Sequence, residues 1–133
     1  MDPLQSIARI AASGMTAQTA RLRVISENVA NAESTGTTPG ADPFRRKTIS
    51  FSELVDRNNG ASMVEVGRVG RDQSDFRLDF DPSHPAADET GYVKRSNVDP
   101  IIEMANMREA SRNYEANMNM FEAGRRMRGQ MLD

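Results

Sequence analysis

The chain has 133 residues and a net charge of −2, and 38% of its residues are hydrophobic. This length suits one small domain, and the near-neutral charge excludes the broad basic field with which a domain binds nucleic acid. The sequence contains no cysteine, which excludes disulfides, a thiol nucleophile and a cysteine-based zinc site.

The first predicted element is an amphipathic helix over residues 3–30. Apolar residues recur along it every seven positions, in two series that are four residues apart. The series are Leu4, Ala11, Gln18 and Ile25, and Ala8, Met15, Leu22 and Val29, with Gln18 as the single polar member. A stripe of this kind is typical of a coiled coil. We expect it to face helices of other chains; packing on the core of its own domain is the alternative.

The sequence predicts neither a membrane-spanning segment nor a secretory signal. No apolar run approaches the roughly 18 residues that a membrane span needs, so we expect no membrane insertion. Asp2 stands where a secretory signal needs positive charge, and Arg9 interrupts the apolar stretch that follows. The N-terminus is therefore not predicted to be a cleavable secretory signal.

A long loop is predicted after the helix, over residues 31–45. It contains three turn-forming pairs: Thr35-Gly36, Pro39-Gly40 and Asp42-Pro43. Asn28 and Asn31 bracket the end of the helix, and asparagine there is typical of a C-cap. The basic cluster at 44–47 favours the start of a strand or a protein contact over a nucleic-acid contact.

The middle of the chain is predicted to be β-structure with three or four strands. Apolar and polar residues alternate over 47–51, 62–70 and 74–80, and a second loop is predicted over 80–93. In the third segment, one side carries Phe76, Leu78 and Phe80, and the other carries Asp75, Arg77 and Asp79. We expect the charged side to be the wetter one.

A second long helix is predicted over 99–131. Asp99-Pro100 forms a cap and first-turn proline, although Ser96 or Asn97 could be the cap instead. Its apolar stripe has helical spacing and consists of Met107, Ala110, Tyr114, Met118 and Phe121. The fold class is therefore α+β, with two long terminal helices that form a coiled-coil-like tube layer and a small β-rich middle segment between them in the chain.

No constellation of residues indicates catalysis. The only histidine, His84, lies in a predicted loop and is interpreted as structural. The sequence has no phosphate-binding glycine motif and no nucleophile elbow. We therefore predict no enzyme activity, no cofactor and no metal site.

Two segments resemble the axial proteins of the bacterial flagellum. In "SENVANAESTGTTPGADPFRRK" (26–47), a helix ends in Asn-Val-Ala-Asn and is followed by Thr, Gly, an aromatic and basic residues. "EMANMREASRNYEANMNMFEAGRRM" (103–127) resembles their C-terminal signature, and "FDPSHPAADETGYVKRSNVDP" (80–100) resembles their proximal-rod members. "TTPGAD" intervenes before the aromatic, which is Phe where Tyr is usual. The matched signature residues are Asn28, Val29, Ala30, Asn31, Phe44, Arg45, Tyr114, Glu115, Ala116 and Asn117.

The resemblance implies a structural subunit of the proximal rod, the drive shaft that crosses the periplasm. It implies export through the flagellar type III apparatus and no cleaved signal peptide. It also implies contacts with copies of itself, with adjacent proximal- and distal-rod subunits, and with the adaptor at the rod base. A soluble coiled-coil adaptor or a secretion chaperone is the alternative function.

The expected organisation has four parts. Residues 1–32 and 96–133 form the helices of an inner tube, 33–47 form the long loop, and 48–95 form the β-rich outer part. The residues expected at assembly interfaces lie on the helical stripes: Leu4, Ala11, Met15, Leu22, Ile25, Val29, Met107, Tyr114, Met118 and Phe121.

Overall fold

The computed structural model describes residues 3–55 and 60–132. The elements, in chain order, are α1 (Pro3–Ala30), β1 (Lys47–Val55), β2 (Ser62–Arg71), β3 (Arg77–Phe80), β4 (Tyr92–Arg95) and α2 (Pro100–Leu132). Two long terminal helices therefore flank a small β-rich middle in the chain, which confirms the predicted α+β class.

The strands form two separate two-stranded sheets, β1 with β2 and β3 with β4, where a single unit was expected. β3 is shorter than the predicted segment because Asp72 Oδ1 accepts a hydrogen bond from the backbone N–H of Ser74, at 2.9 Å. This contact forms a turn where the alternating pattern predicted a strand. β4 falls at the end of the predicted second loop and was missed.

α2 begins with the predicted cap. Asp99 Oδ1 accepts a hydrogen bond from the N–H of Ile101 at 3.0 Å, and the Asp99 carbonyl accepts one from Glu103. Asp99 is therefore the N-cap, and Pro100 occupies the first helical position, where its missing N–H has no cost.

The chain divides into two compact units, each built from three segments. The first, here the helical unit, contains residues 1–23, 49–68 and 107–133. The second, here the junction unit, contains residues 24–48 and 69–106. The boundaries do not coincide with the four parts expected from the sequence, and the division into an inner tube and an outer part stays a prediction.

In the helical unit, α1 and α2 pack antiparallel through small residues. A Cβ added at Gly14 would meet Asn117, and one added at Gly124 would approach Leu4 and Ala8. Arg21 forms an ion pair with Glu109 at 3.5 Å. Since the contacts on α2 move towards its N-terminus as those on α1 move towards its C-terminus, the two segments run in opposite directions.

The closest helix contacts follow the predicted stripe on α1 only in part, since Ala11 belongs to it and Gly14 and Ala17 do not. Small residues, Ala11, Gly14 and Ala17, are the ones buried there, whereas Met15 and Leu22 are half-buried. Small side chains allow the helix backbones to approach closely, and the larger ones remain at the edges of the seam. On α2, Ala110 is fully buried, as its stripe predicts.

In the junction unit, the core consists of short apolar side chains from several segments. They are Val24, Ile25, Ala32, Ala86, Val93 and Val98. β3 and β4 are antiparallel, and Asp79 is paired with Val93 and Phe80 with Tyr92. A core this small leaves the positioning of the loops to hydrogen bonds and ion pairs.

Candidate functional site

The end of α1 is tied to the start of β1 by the side chain of Asn28. Only 1% of Asn28 is exposed. Its Nδ2 donates to the Lys47 carbonyl at 3.0 Å, and its Oδ1 accepts from the Lys47 N–H at 2.8 Å. Asn28 thus pairs with the backbone of Lys47 much as a neighbouring strand would, and Lys47 also forms an ion pair with Glu27.

The second asparagine of the signature ends the helix. Asn31 Nδ2 donates to the Glu27 carbonyl at 2.8 Å, which satisfies a carbonyl in the last turn. The predicted capping role is therefore confirmed for Asn31. It is wrong for Asn28, whose side chain reaches 19 positions along the chain instead.

A hydrogen bond closes the loop that joins the end of α1 to the start of β1. Ser34 Oγ accepts it from the backbone N–H of Phe44 at 3.0 Å. Together with the Asn28–Lys47 pair, this contact makes residues 33–47 a closed loop that returns the chain to the end of α1. The predicted long loop has a defined conformation for this reason.

Arg46 lies at the centre of a polar cluster that connects four segments of the junction unit. Its guanidinium forms an ion pair with Glu103, and its Nη1 lies 3.4 Å from Asp72 Oδ2. Its backbone N–H donates to Asn97 Oδ1 at 2.7 Å. Asn97 Nδ2 donates in turn to the Asp72 carbonyl at 3.0 Å. We call Arg46, Asp72, Asn97 and Glu103 the junction cluster.

Glu103 is the most deeply placed member of the junction cluster, with 1% of the residue exposed. One carboxylate oxygen contacts Arg46, and Oε2 has no hydrogen-bond partner. A buried carboxylate is tolerated only when it is paired. The position of α2 relative to the start of β1 therefore depends on Arg46.

The opposite charges in the junction cluster stabilise the ionised forms of Arg46 and Asp72. Burial alone would lower the pKa of Arg46, but the hydrogen bond and charge of Glu103 and the nearby Asp72 outweigh it, so this pKa is raised. Hydrogen bonds from Ser74, and next the charge of Arg46, lower the pKa of Asp72. Arg46 and Asp72 are therefore both held in their ionised forms.

Arg45, the basic residue of the N-terminal signature, fixes the turn after β2. Its Nη1 donates to the carbonyls of Asp72 at 2.9 Å and Ser74 at 3.0 Å. Its guanidinium also lies over the Phe76 ring, 4.1 Å from the centroid. The basic cluster at 44–47 is thus engaged within the chain, in agreement with the strand-start interpretation.

His84 has a structural place in the second loop. Its Nδ1 accepts a hydrogen bond from the Ala86 N–H at 3.0 Å, and its Nε2 lies 3.5 Å from Thr35 Oγ1. Over residues 3–55 and 60–132, no group of three or more His, Cys, Asp or Glu side chains could hold a metal ion. No helix in these ranges is long and apolar enough to cross a membrane.

The C-terminal signature belongs to the helical unit, whereas the N-terminal signature belongs to the junction unit. Tyr114 is half-buried, whereas Glu115 and Ala116 are exposed on α2. Asn117 Nδ2 donates to the Asn113 carbonyl at 2.8 Å, and its side chain lies against Gly14. Only Tyr114 and Asn117 of this signature therefore contribute to the helix seam.

A shallow groove of about 270 Å³ runs beside that seam. It is lined by uncharged residues of both helices: Ala12, Met15, Thr16, Thr19, Tyr114 and Phe121. Ala11 and Ile25 are buried within the chain itself. Leu4, Met15, Leu22, Val29, Met107, Tyr114, Met118 and Phe121, the other members of the expected interface set, are half-buried. These eight retain apolar surface that a neighbouring chain could cover.

Sequence reasoning missed the junction cluster almost entirely. Arg46 was noted only as part of a basic run, and Glu103 was not singled out. The available signal was weak: an acidic residue in the first turn of a helix suits the helix dipole and is usually solvated. Nothing in the local pattern connects Glu103 with a residue 57 positions earlier.

Known proteins with similar sequences belong to one class. The family model "Flagella basal body rod protein" matches residues 9–36, and "Flagellar basal body rod FlgEFG protein C-terminal" matches residues 89–133. These two ranges contain the Asn-Val-Ala-Asn element and the C-terminal signature. The class that the fold and the signatures define is therefore the rod proteins of the flagellar basal body.

Full-length relatives identify the family within that class. The chain is 49% identical to the flagellar basal-body rod protein FlgC of Agrobacterium fabrum over 133 residues, which cover 100% of the chain and 96% of the relative. It is 39% identical to the FlgC of Escherichia coli O6:H1, covering 93% of the chain and 92% of the relative. It is 35% identical to the FlgC of Bacillus subtilis, covering 89% of the chain and 89% of the relative. The chain belongs to the FlgC family of flagellar basal-body rod proteins, and its function is that of a structural rod subunit. The alternative of a coiled-coil adaptor or chaperone finds no support among these relatives.

Proposed function

We propose that the chain is exported through the flagellar type III apparatus and polymerises in the periplasm into the proximal rod. There it contacts copies of itself, the adjacent proximal- and distal-rod subunits and the adaptor at the rod base. It transmits motor torque by these contacts and carries out no catalysis. Membership of the FlgC family supports the rod; the details of export and partners follow from resemblance to flagellar axial proteins.

The observation that carries the proposal is the apolar surface left on α2. The exposed residues include Ile102, Met120, Met127 and Met131. At 100° per residue these positions fall on one side of a helix. Ala110, Asn117 and Gly124, which pack on α1, lie about 60° further round the same helix. The apolar surface of α2 therefore extends beyond its contact with α1 and is suited to contact further helices, as in a tube wall.

The test is the location of the chain in the cell. Basal bodies are isolated from cells that produce an epitope-tagged chain, and the tag is located by immunogold electron microscopy. The proposal predicts label in the rod. It also predicts that the chain accumulates in the cytoplasm of a type III export mutant. A chain that stays cytoplasmic in export-competent cells and is absent from basal bodies would contradict the proposal and favour a chaperone.

A further inference from the structure

Three methionines form an exposed strip along the second half of α2. Met120, Met127 and Met131 are 46%, 50% and 78% exposed. At 100° per residue their spacing places them within about 40° of one another round the helix. We call these three residues the methionine strip. It belongs to the helical unit and forms part of the apolar surface that the proposed function assigns to contacts with further helices.

Methionine is the only sulfur-containing residue of this chain, because the sequence has nine methionines and no cysteine. No thiol is therefore present to react with an oxidant before the thioethers do. In the part of the chain that the structure describes, one methionine outside the strip, Met104, is also exposed. The others there are half-buried: Met15, Met63, Met107 and Met118. The strip thus groups most of the readily accessible sulfur on one side of one helix.

We propose that the methionine strip is a site of oxidative modification that controls entry of the chain into the rod. The co-reactant is a peroxide. The thioether sulfur attacks one oxygen of hydrogen peroxide, an S–O bond forms as the O–O bond breaks, and the other oxygen leaves as water after proton transfer. Each sulfur loses two electrons and becomes a sulfoxide. The inference rests on the proposed function, because it concerns the surface of α2 that we expect to contact further helices.

Oxidation changes the contact surface and leaves the fold in place. A sulfoxide oxygen is a polar acceptor, and burying it without a donor is unfavourable. The strip spans eleven positions, which at 1.5 Å per residue is about 16 Å along the helix, so three sulfoxides would interrupt the apolar surface over this whole length. The seam with α1 uses Gly124 and Asn117 instead, about 60° further round the helix. The internal packing of the helical unit therefore does not depend on the strip.

The modification acts on copies that are not yet in the rod. In the single chain all three side chains are open to solvent. Under the proposed function the same surface is covered once a copy is incorporated, so peroxide no longer reaches it. Because reductases return methionine sulfoxide to methionine, the change is chemically reversible. The strip would thus keep oxidised copies out of the rod until they are reduced.

Peroxide treatment of the purified full-length chain tests the first step. Sulfoxide at each position is followed by peptide mass spectrometry. The strip should be oxidised on average at least about twice as fast as Met107 and Met118, the half-buried methionines of the same helix. Equal rates in the two groups would overturn the inference.

Substitutions in cells test the second step. Glutamine imitates the polarity and length of a sulfoxide, whereas leucine stays apolar and cannot be oxidised. A triple variant with glutamine throughout the strip should lower the number of completed rods about tenfold, with a circular dichroism spectrum like that of the natural chain. The matched triple leucine variant should stay within about twofold of the natural number. Met104→Gln, 59% exposed in the junction unit, should also stay in that range.

A peroxide challenge separates modification from a general need for an apolar surface. Cells with the natural chain or the triple leucine variant receive the same sublethal hydrogen peroxide while new basal bodies form, so damage to other proteins is shared. We expect about fivefold fewer new rods with the natural chain than with the leucine variant. Equal numbers would overturn the inference.

The remaining outcomes distinguish the inference from the proposed function. Normal rod numbers with the triple glutamine variant would overturn the inference and leave the proposed function intact. Intact basal bodies in which peroxide oxidises the strip as fast as in the purified chain would overturn it as well. Absence of the natural chain from basal bodies would count against the proposed function and thereby against the inference that rests on it.

Discussion

Gly14 on α1 lies against Asn117 on α2 so closely that a Cβ at position 14 would fall 2.6 Å from Asn117 Oδ1. The contact sets the distance between the two helices in the helical unit. Glycine inside a helix is unfavourable by about 1 kcal/mol relative to alanine. Close approach of the helices compensates for this loss, and Asn117 is the residue that occupies the space.

Gly14→Ala should therefore change stability differently in two backgrounds. In the natural chain, the added methyl forces Asn117 to move and to break its hydrogen bond with Asn113, which offsets the gain in helix propensity. In an Asn117→Ala background, Gly14→Ala should stabilise the chain by about 1 kcal/mol. Urea unfolding of the four purified proteins gives the coupling free energy. Equal effects of Gly14→Ala in both backgrounds would show that the contact does not limit helix approach.

Asn28→Ala should destabilise the junction unit. The substitution removes both hydrogen bonds to the Lys47 backbone and leaves a buried donor and acceptor unpaired, which costs about 1–3 kcal/mol for a group of this kind. Thermal unfolding followed by circular dichroism measures the loss. Asn119→Ala, at an exposed position of α2, is the matched control and should change stability by less than about 0.5 kcal/mol. Similar midpoints for the two variants would refute the role assigned to Asn28.

Glu103→Ala should be among the most damaging single substitutions in the chain. It leaves the Arg46 guanidinium without its buried partner, a change that typically costs about 3–5 kcal/mol. The control is Glu109→Ala, which breaks the Arg21 pair at a carboxylate that is 64% exposed and should cost under about 1 kcal/mol.

Replacing both Arg46 and Glu103 distinguishes the cost of an unpaired charge from the cost of losing the side chains themselves. The double variant Arg46→Met/Glu103→Met should recover much of the stability that Glu103→Ala loses, because no unpaired charge remains. Chemical denaturation provides the comparison. If Glu103→Ala and Glu109→Ala prove equally mild, the Arg46–Glu103 pair does not fix the start of α2.

Acid should weaken the junction cluster through Asp72. The pKa of Asp72 is lower in the folded chain than in the unfolded one, chiefly because of hydrogen bonds from Ser74. Its contribution is therefore present above the ordinary carboxyl pKa of about 3.9 and is lost as the pH falls through the folded value. Asp72→Asn should be less stable than the natural chain at pH 7 and should lose less stability on acidification.

Ser74→Ala provides the matched variant for this pH dependence. It keeps the backbone N–H that binds Asp72 but removes the hydroxyl, so its profile should lie between those of the natural chain and Asp72→Asn. Unfolding midpoints measured from pH 7 to pH 3 test both variants. Three parallel profiles would show that Asp72 does not contribute to the acid sensitivity.

The helices could be predicted from sequence because their signals are local and repeated. Period and end signals defined α1 and α2 to within a residue or two, and the Asp99-Pro100 pair marked the start of α2. The junction cluster could not be predicted, because Arg46 and Glu103 lie 57 positions apart and neither belongs to a periodic pattern. For the strands, alternation identified the two sides of β3 but not their burial, since all four residues of β3 are exposed. The buried residue of this sheet is Val93, which lies on β4, the strand that was missed.

The helical stripes provide the prediction that bears most directly on assembly. Leu22 and Met118 are half-buried in the single chain, and we expect neighbouring helices to cover their remaining surface in the rod. Burying a large apolar side chain contributes about 1.5–3 kcal/mol, and a carboxylate at that position would be desolvated without a partner. Because each subunit repeats this unpaired carboxylate at every interface, Leu22→Asp and Met118→Asp should abolish rod completion. Under the proposed export route, in which the chain is expected to pass unfolded, export should continue. Arg112→Ala at an exposed position should leave cells motile. Secreted subunit is measured by immunoblot, and completed rods are counted by electron microscopy of basal bodies. Normal rod numbers in Met118→Asp cells would show that this stripe does not lie between subunits.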